Sequence, residues 1–172
     1  ADLAGARADY EAALPIYRQI DARLGEANVL TSLGDLKTRT DDLAGARADY
    51  EAALPIYRQI DDRLGEANAL TSIGQLYVAH GDLSAGFRTV AQALQIQQQI
   101  NDQLGIGASH GYLARIAAQE GDLPQMIGLA ARAIRTFAAM GDRFGQSVAL
   151  TDLGQALLSA RREDALACLL RA

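Results

Sequence analysis

Residues 1–40 and 41–80 carry the same amino acid at 31 of 40 aligned positions, without a gap. A unit of this length that recurs in tandem must bury its apolar surface against its neighbours, so stacked supersecondary units are expected rather than one central core. Residues 81–120 keep the frame, with 10 identities to the second unit. Residues 121–160 follow it more loosely, and Arg161–Ala172 begins a fifth copy. All 172 residues are read as a single array.

The period inside the unit is helical. Leu43, Ala46, Tyr50, Ala53, Leu54, Tyr57 and Ile60 fall at steps of three and four and share one face. Asp42 stands ahead of that face as an N-cap, as do Asp2, Asp82 and Asp122 in their copies. A second helix runs from Leu64 to Ala79, with Leu70, Ile73, Gly74 and Tyr77 as its stripe, before Gly81-Asp82 restarts the cycle. Helices of about 16–19 residues are roughly 24–28 Å long. Hydrophobic residues make up 49% of the chain and aromatics 5%, which suits close helix–helix packing. The expected fold is all-α, a solenoid of antiparallel helical hairpins with a concave and a convex side. Pro15 and Pro55 fall inside the first helix of their units and should bend it; Pro124 sits in a first turn, where proline is tolerated.

Aligning the units exposes a recurring pattern. Leu30, Leu33-Gly34 and Lys37 precede Ala46, Tyr50 and Ala53; Leu70, Ile73-Gly74 and Tyr77 precede Gly86, Val90 and Ala93. The later copies read His110, Leu113-Ala114, Ala117, Met126, Ala130, Ala133, and then Leu150, Leu153-Gly154, Leu157, Leu166, Leu170. This pattern resembles the tetratricopeptide repeat family in its long, 40-residue form. The resemblance implies a right-handed superhelix of A and B helices, in which Gly34, Gly74 and Gly154 let the partner helix approach the backbone. In this frame the chain opens with a B helix and stops inside another, as a segment of a longer array would. Ala1 in place of Met also leaves room for an upstream segment.

Members of the family hold extended peptides on the exposed positions of their A helices. Carried over, these positions are Asn28, Thr31, Asp35, Thr38 and Arg39; Asn68, Thr71, Gln75, Val78 and Ala79; Ala108, Gly111, Arg115, Ala118 and Gln119; and Val148, Thr151, Gln155, Leu158 and Ser159. Asn28 and Asn68 stand out, because an amide both donates to and accepts from an extended backbone. The Lys and Asn that clamp a terminal carboxylate in some members are replaced by Thr31, Asp35, Thr71 and Gln75.

Two irregularities bear on function. Six of the nine differences between the first two copies lie at 33/73, 35/75, 37/77, 38/78, 39/79 and 40/80, which fits either a groove tuned copy by copy or drift at an exposed helix end. Leu104–Gly111 puts three glycines and His110 into one helix, as a hinge, a close approach to the backbone or an eroded repeat would.

Other functions find little support. Net charge is −5 with no run of Lys or Arg beyond Arg161-Arg162, so a nucleic-acid groove is not expected. No apolar stretch is long enough for a membrane span, and no signal peptide and a cytoplasmic location are expected. Cys168, the single cysteine, reads as a small buried hydrophobe. His80 and His110 lack metal-ligand spacing, and no nucleophile elbow or phosphate loop occurs. Asp42 and Asp82 read as caps and Glu26 and Glu66 as surface charges, so no catalytic pair, metal or cofactor is expected. The leading reading is a non-catalytic scaffold for a protein or extended peptide. The second is self-assembly through uncapped ends, and the third is the sensor segment of a larger signalling protein.

Overall fold

A computed structural model describes residues 3–169, with side chains described through residue 161. Eight helices follow one another among these residues: α1 Leu3–Gln19, α2 Arg23–Arg39, α3 Leu43–Gln59, α4 Arg63–Ala79, α5 Leu83–Gln99, α6 Gln103–Gln119, α7 Leu123–Met140 and α8 Arg143–Leu169. The N-cap expected at Asp2 lies outside the described residues, as do the side chains of Leu166, Cys168 and Leu170.

The turns recur every twenty residues, half the sequence period, and all are built alike. Asp21, Asp41, Asp61, Gly81, Asn101, Gly121 and Gly141 have φ between 53° and 83°. Asp, Asn and Gly are the residues that tolerate the left-handed region at a helix end. The next residue then donates its backbone N–H to a carbonyl five positions back, for example Asp42 to Lys37 and Asp62 to Tyr57, both at 2.9 Å. From Asp42 onward this residue is always Asp, and it has a second task. Its carboxylate accepts from the N–H three positions on, at 2.9 Å for Gly45 and 3.0 Å for Gly65, with the same bond at Asp82, Asp102, Asp122 and Asp142. One aspartate thus closes one helix and opens the next. Ala22 takes this place before α2, and that helix has no side-chain cap. At 161 and 162 the period meets Arg-Arg instead of a left-handed former and an Asp, and α8 runs on as one helix of 27 residues.

Packing separates strong from weak neighbours. The pairs α2–α3, α4–α5 and α6–α7 are in more extensive contact than α3–α4, α5–α6 or α7–α8. They are the hairpins, each an A helix followed by a B helix, with α1 a leading B helix and α8 a trailing A helix. Apolar residues gather in several small clusters strung along the stack. One joins Ala27, Leu30, Ala53, Ile56 and Tyr57, and another joins Ala46, Tyr50, Ile73 and Leu76. Stability is therefore a sum of neighbour terms.

Close approach depends on glycine at some of the expected places. A methyl group on Gly34 would stand 2.6 Å from the Tyr50 ring, and one on Gly74 would stand 2.6 Å from Val90. Across the same crossing, a methyl on Gly86 would stand 2.6 Å from Val78. Gly154 differs from the expectation: among the described residues nothing lies within 4 Å of the place where its methyl group would stand.

Pro15 and Pro55 lie inside α1 and α3, as expected, and both are exposed. Other sequence expectations change at this level. Helix α6 is unbroken from Gln103 to Gln119. Two of its glycines have packing reasons, since methyl groups at Gly105 and Gly107 would press on Gln97 with Asp102 and on Phe137. Glu26 and Glu66 are not surface charges: they are 6% and 5% exposed. Arg18 and Arg23 hold Glu26 at 2.8 and 2.7 Å. Arg58 holds Glu66 at 2.8 Å, together with Arg63.

Candidate functional site

The A helices α2, α4, α6 and α8 carry the candidate residues, and α6 touches both α4 and α8. Two recesses open along this face. The first, about 280 Å³, lies between α4 and α6 and is lined by Gln75, Val78, Ala79, Tyr112, Arg115 and Gln119. The second, about 260 Å³, lies between α6 and α8 and is lined by Ala108, Gly111, Tyr112, Arg115, Phe144 and Asp152, among others. Tyr112 and Arg115 belong to both and form the partition between them.

Five of the expected positions, Gln75, Val78, Ala79, Arg115 and Gln119, line the first recess, and Ala108, Gly111, Arg115 and Val148 line the second. Arg115 is exposed and forms no ion pair among the described residues. Asp152 shares the second recess with it without pairing, so a cation and an anion face the same space from different helices.

Asn28, Thr31 and Asp35 are held from within the chain. The Tyr57 hydroxyl donates to Asn28 Oδ1 at 2.9 Å and lies 3.0 Å from Thr31 Oγ1. The Tyr50 hydroxyl donates to Asp35 Oδ1 at 2.6 Å. Burial, then this bond to Asp35, pushes the Tyr50 phenol up to about 12. Thr71 donates back to the Ala67 carbonyl at 2.9 Å. Arg39, Asn68 and Gln155 are exposed and belong to neither recess.

The same bonds account for three of the nine differences between the first two copies, those at 35/75, 37/77 and 38/78. α2 packs on α3, which offers Tyr50 and Asp49; α4 packs on α5, which offers Val90 and Thr89. Asp35 and Thr38 face the Tyr50 hydroxyl, the latter at 3.4 Å, and Lys37 pairs with Asp49 at 2.7 Å. Their counterparts Gln75, Val78 and Tyr77 meet no such groups on α5. Instead Tyr77 receives Arg47 from α3, which donates to its hydroxyl at 2.9 Å and lies 4.7 Å from its ring centre. The substitutions follow the helix that each A helix packs on.

Sequence reasoning missed Tyr112, Phe144 and Asp152. A signal was present: one frame position reads Ser32, Ser72, Tyr112, Asp152, and so departs only in the copies that line the recesses. Another reads Leu24, Leu64, Leu104, Phe144, and these are 50, 48, 56 and 81% exposed. An apolar residue left in water once per copy is a rung along the rim of this face.

Among the described residues no group of His, Cys, Asp and Glu could hold a metal ion. No described helix is long and apolar enough to cross a membrane.

Residues 25–99 match the family model described as Tetratricopeptide repeat. No curated protein sequence matches the chain. Among solved structures, BtubC (BKLC) from P. vanneervenii superposes with a TM-score of 0.78 at 17% identity, covering 92% of this chain and 67% of that one. A putative kinesin light chain from Podosopora anserina, described as nearly identical TPR-like repeats, superposes with a TM-score of 0.72 at 15% identity, covering 97% of this chain and 83% of that one. Hairpins, turns and these likenesses agree: the described residues form an all-helical array of repeated hairpins with the fold of the TPR-like solenoids, and the tetratricopeptide repeat match spans α2 to α5.

Proposed function

We propose that the chain is a non-catalytic binding scaffold whose A-helix face holds an extended peptide or a protein segment. The observation that carries this reading is the pair of adjoining recesses partitioned by Tyr112 and Arg115. They adjoin along the A-helix face, and the first offers amide donors and acceptors at Gln75 and Gln119. An unpaired guanidinium at the centre can take a carboxylate with two parallel bonds. The half-buried Tyr112 ring and the rung at Leu104 and Phe144 supply apolar contact. The ligand that fits is a short acidic–apolar segment. The first copy contributes less, because Asn28, Thr31 and Asp35 are tied to tyrosines of α3.

Selection of displayed random peptides on the immobilised chain tests this. Selected peptides should carry an acidic residue beside an apolar one. Arg115→Ala should weaken them about tenfold or more at unchanged melting temperature. Peptides that bind the Arg115→Ala chain equally well would remove the groove from consideration.

A further inference from the structure

Three charged residues line the two recesses: Arg115, Asp142 and Asp152. Asp142 is spent on its turn, where Oδ1 accepts from the backbone N–H groups of Phe144 and Gly145 at 3.1 and 3.0 Å. Arg115 and Asp152 are left uncommitted. Neither side chain forms an ion pair or a hydrogen bond among the described residues. The first copy is different: there Asp35 accepts from the Tyr50 hydroxyl and Lys37 pairs with Asp49, so those charges serve the fold.

The setting of Asp152 narrows what it can take. It is half-buried and shares the second recess with Tyr112 and Val148. Leu104 and Phe144 line the same recess, each about two helical turns back along its own helix. On its other side, Asp152 borders a narrow crevice of about 30 Å³ that Arg115 also borders. The remaining walls of that crevice carry no polar side chain, from Gly111 and Ala114 to Leu153 and Ala156. A carboxylate partly withdrawn from water and left without a partner carries a desolvation cost that a cation offsets.

The two open charges have opposite signs and reach one space from different helices. A segment with an acidic side chain alone satisfies Arg115 and is repelled by Asp152. A segment with an acid and a base completes an alternating set of four charges. Lysine or arginine suits the second recess, because its methylene stem can lie on Val148 and Tyr112 while its head reaches Asp152.

We propose that Asp152 is a specificity residue: the segment on the A-helix face sets an acidic side chain on Arg115 and a lysine or arginine on Asp152. This rests on the groove reading and adds the ligand's second charge to it. The same carboxylate turns away segments with two acids, by like-charge repulsion in a partly dry space.

Selection of displayed random peptides on the immobilised 172-residue chain, in parallel with its Asp152→Lys variant, tests it. Peptides from the parent should carry an acidic and a basic residue, whereas Asp152→Lys should exchange the basic residue for a second acidic one. A parent-selected peptide is then synthesised with norleucine in place of its basic residue, which keeps the stem and removes the charge. It should bind about tenfold more weakly. Asp152→Asn should weaken the original peptide about equally, at unchanged melting temperature, and both changes together should cost no more than either alone. Arg115-dependent peptides that lack a basic residue, or that bind Asp152→Asn as tightly as the parent, overturn the proposal and leave the groove standing. Losses that simply add do the same. Peptides indifferent to Arg115→Ala overturn both readings.

Discussion

Gly107 of α6 lies directly beneath the ring of Phe137 in α7, and a methyl group on it would stand 2.8 Å from two of the ring carbons. Four residues on, Gly111 has nothing within 4 Å. The same substitution in one helix should therefore act with opposite signs. Gly107→Ala crowds a buried ring and should destabilise by about 1–3 kcal/mol. Gly111→Ala should stabilise by up to about 1 kcal/mol, the difference in helix propensity. Urea unfolding of both variants checks the pair, and equal effects would show that α6 tolerates local adjustment at Phe137.

Ala22 is the place where the capping aspartate is missing from an otherwise complete turn. Ala22→Asp should give Gly25 the acceptor that Gly45 and Gly65 already have, raising stability by about 1 kcal/mol. Asp62→Ala should lower it by a similar amount. Thermal melting of the two variants decides the matter; a neutral Ala22→Asp would mean that α2 frays independently of the rest.

Glu66 is buried between Arg58 and Arg63, which are half-exposed. Glu66→Ala should cost about 2 kcal/mol, the scale of hydrogen bonds to a charged group. The third copy has already replaced all three residues together, with Gln98, Gln103 and Ile106 in their places. Transplanting that set as Arg58→Gln, Arg63→Gln and Glu66→Ile should restore stability to within about 1 kcal/mol of the parent. Denaturation midpoints of the single and triple variants give the answer.

His110 is 6% exposed in a place that Leu30, Leu70 and Leu150 occupy elsewhere. Burial, followed by the charge of Arg132, holds its imidazole below the usual value of 6.5. The folded state thus prefers the neutral ring. Its contribution is present in full above pH 6.5 and is lost as pH falls through the depressed folded value. Urea midpoints at about pH 7.5 and pH 5, on either side of an ordinary histidine, should differ in the parent. They should differ less in His110→Leu. The same pH dependence in both proteins would place the acid sensitivity elsewhere.

The forty-residue period and the apolar faces were legible because they are written in residue type: each expected stripe from Leu43 to Ile60 and from Leu70 to Tyr77 is buried or half-buried. The twenty-residue turn was less visible. Asp, Asn and Gly share the left-handed position, so identity is lost where the backbone requirement is strict, and Asp62, Asp102 and Asp142 went unnoticed as caps. Glu26 and Glu66 look like any surface carboxylate until the arginines eight residues before and three before are seen to converge on them. For the recesses, sequence frame located Gln75, Arg115 and Gln119. The frame marks Phe144 and Asp152 only as departures from the copies before them; that they share one space follows from the placement of α8 beside α6.

Possessing one helical sequence in two settings makes α1 and α3 a built-in reference pair. Helix propensity, proline strain and the intrinsic exchange rate of every amide cancel between Tyr10 and Tyr50, or between Ile16 and Ile56. Beyond the first turn, where Asp42 caps α3, whatever separates their amide protection in solution is then the work of tertiary setting. Few proteins allow tertiary context to be weighed against local sequence by simple subtraction, within one molecule and under one set of conditions.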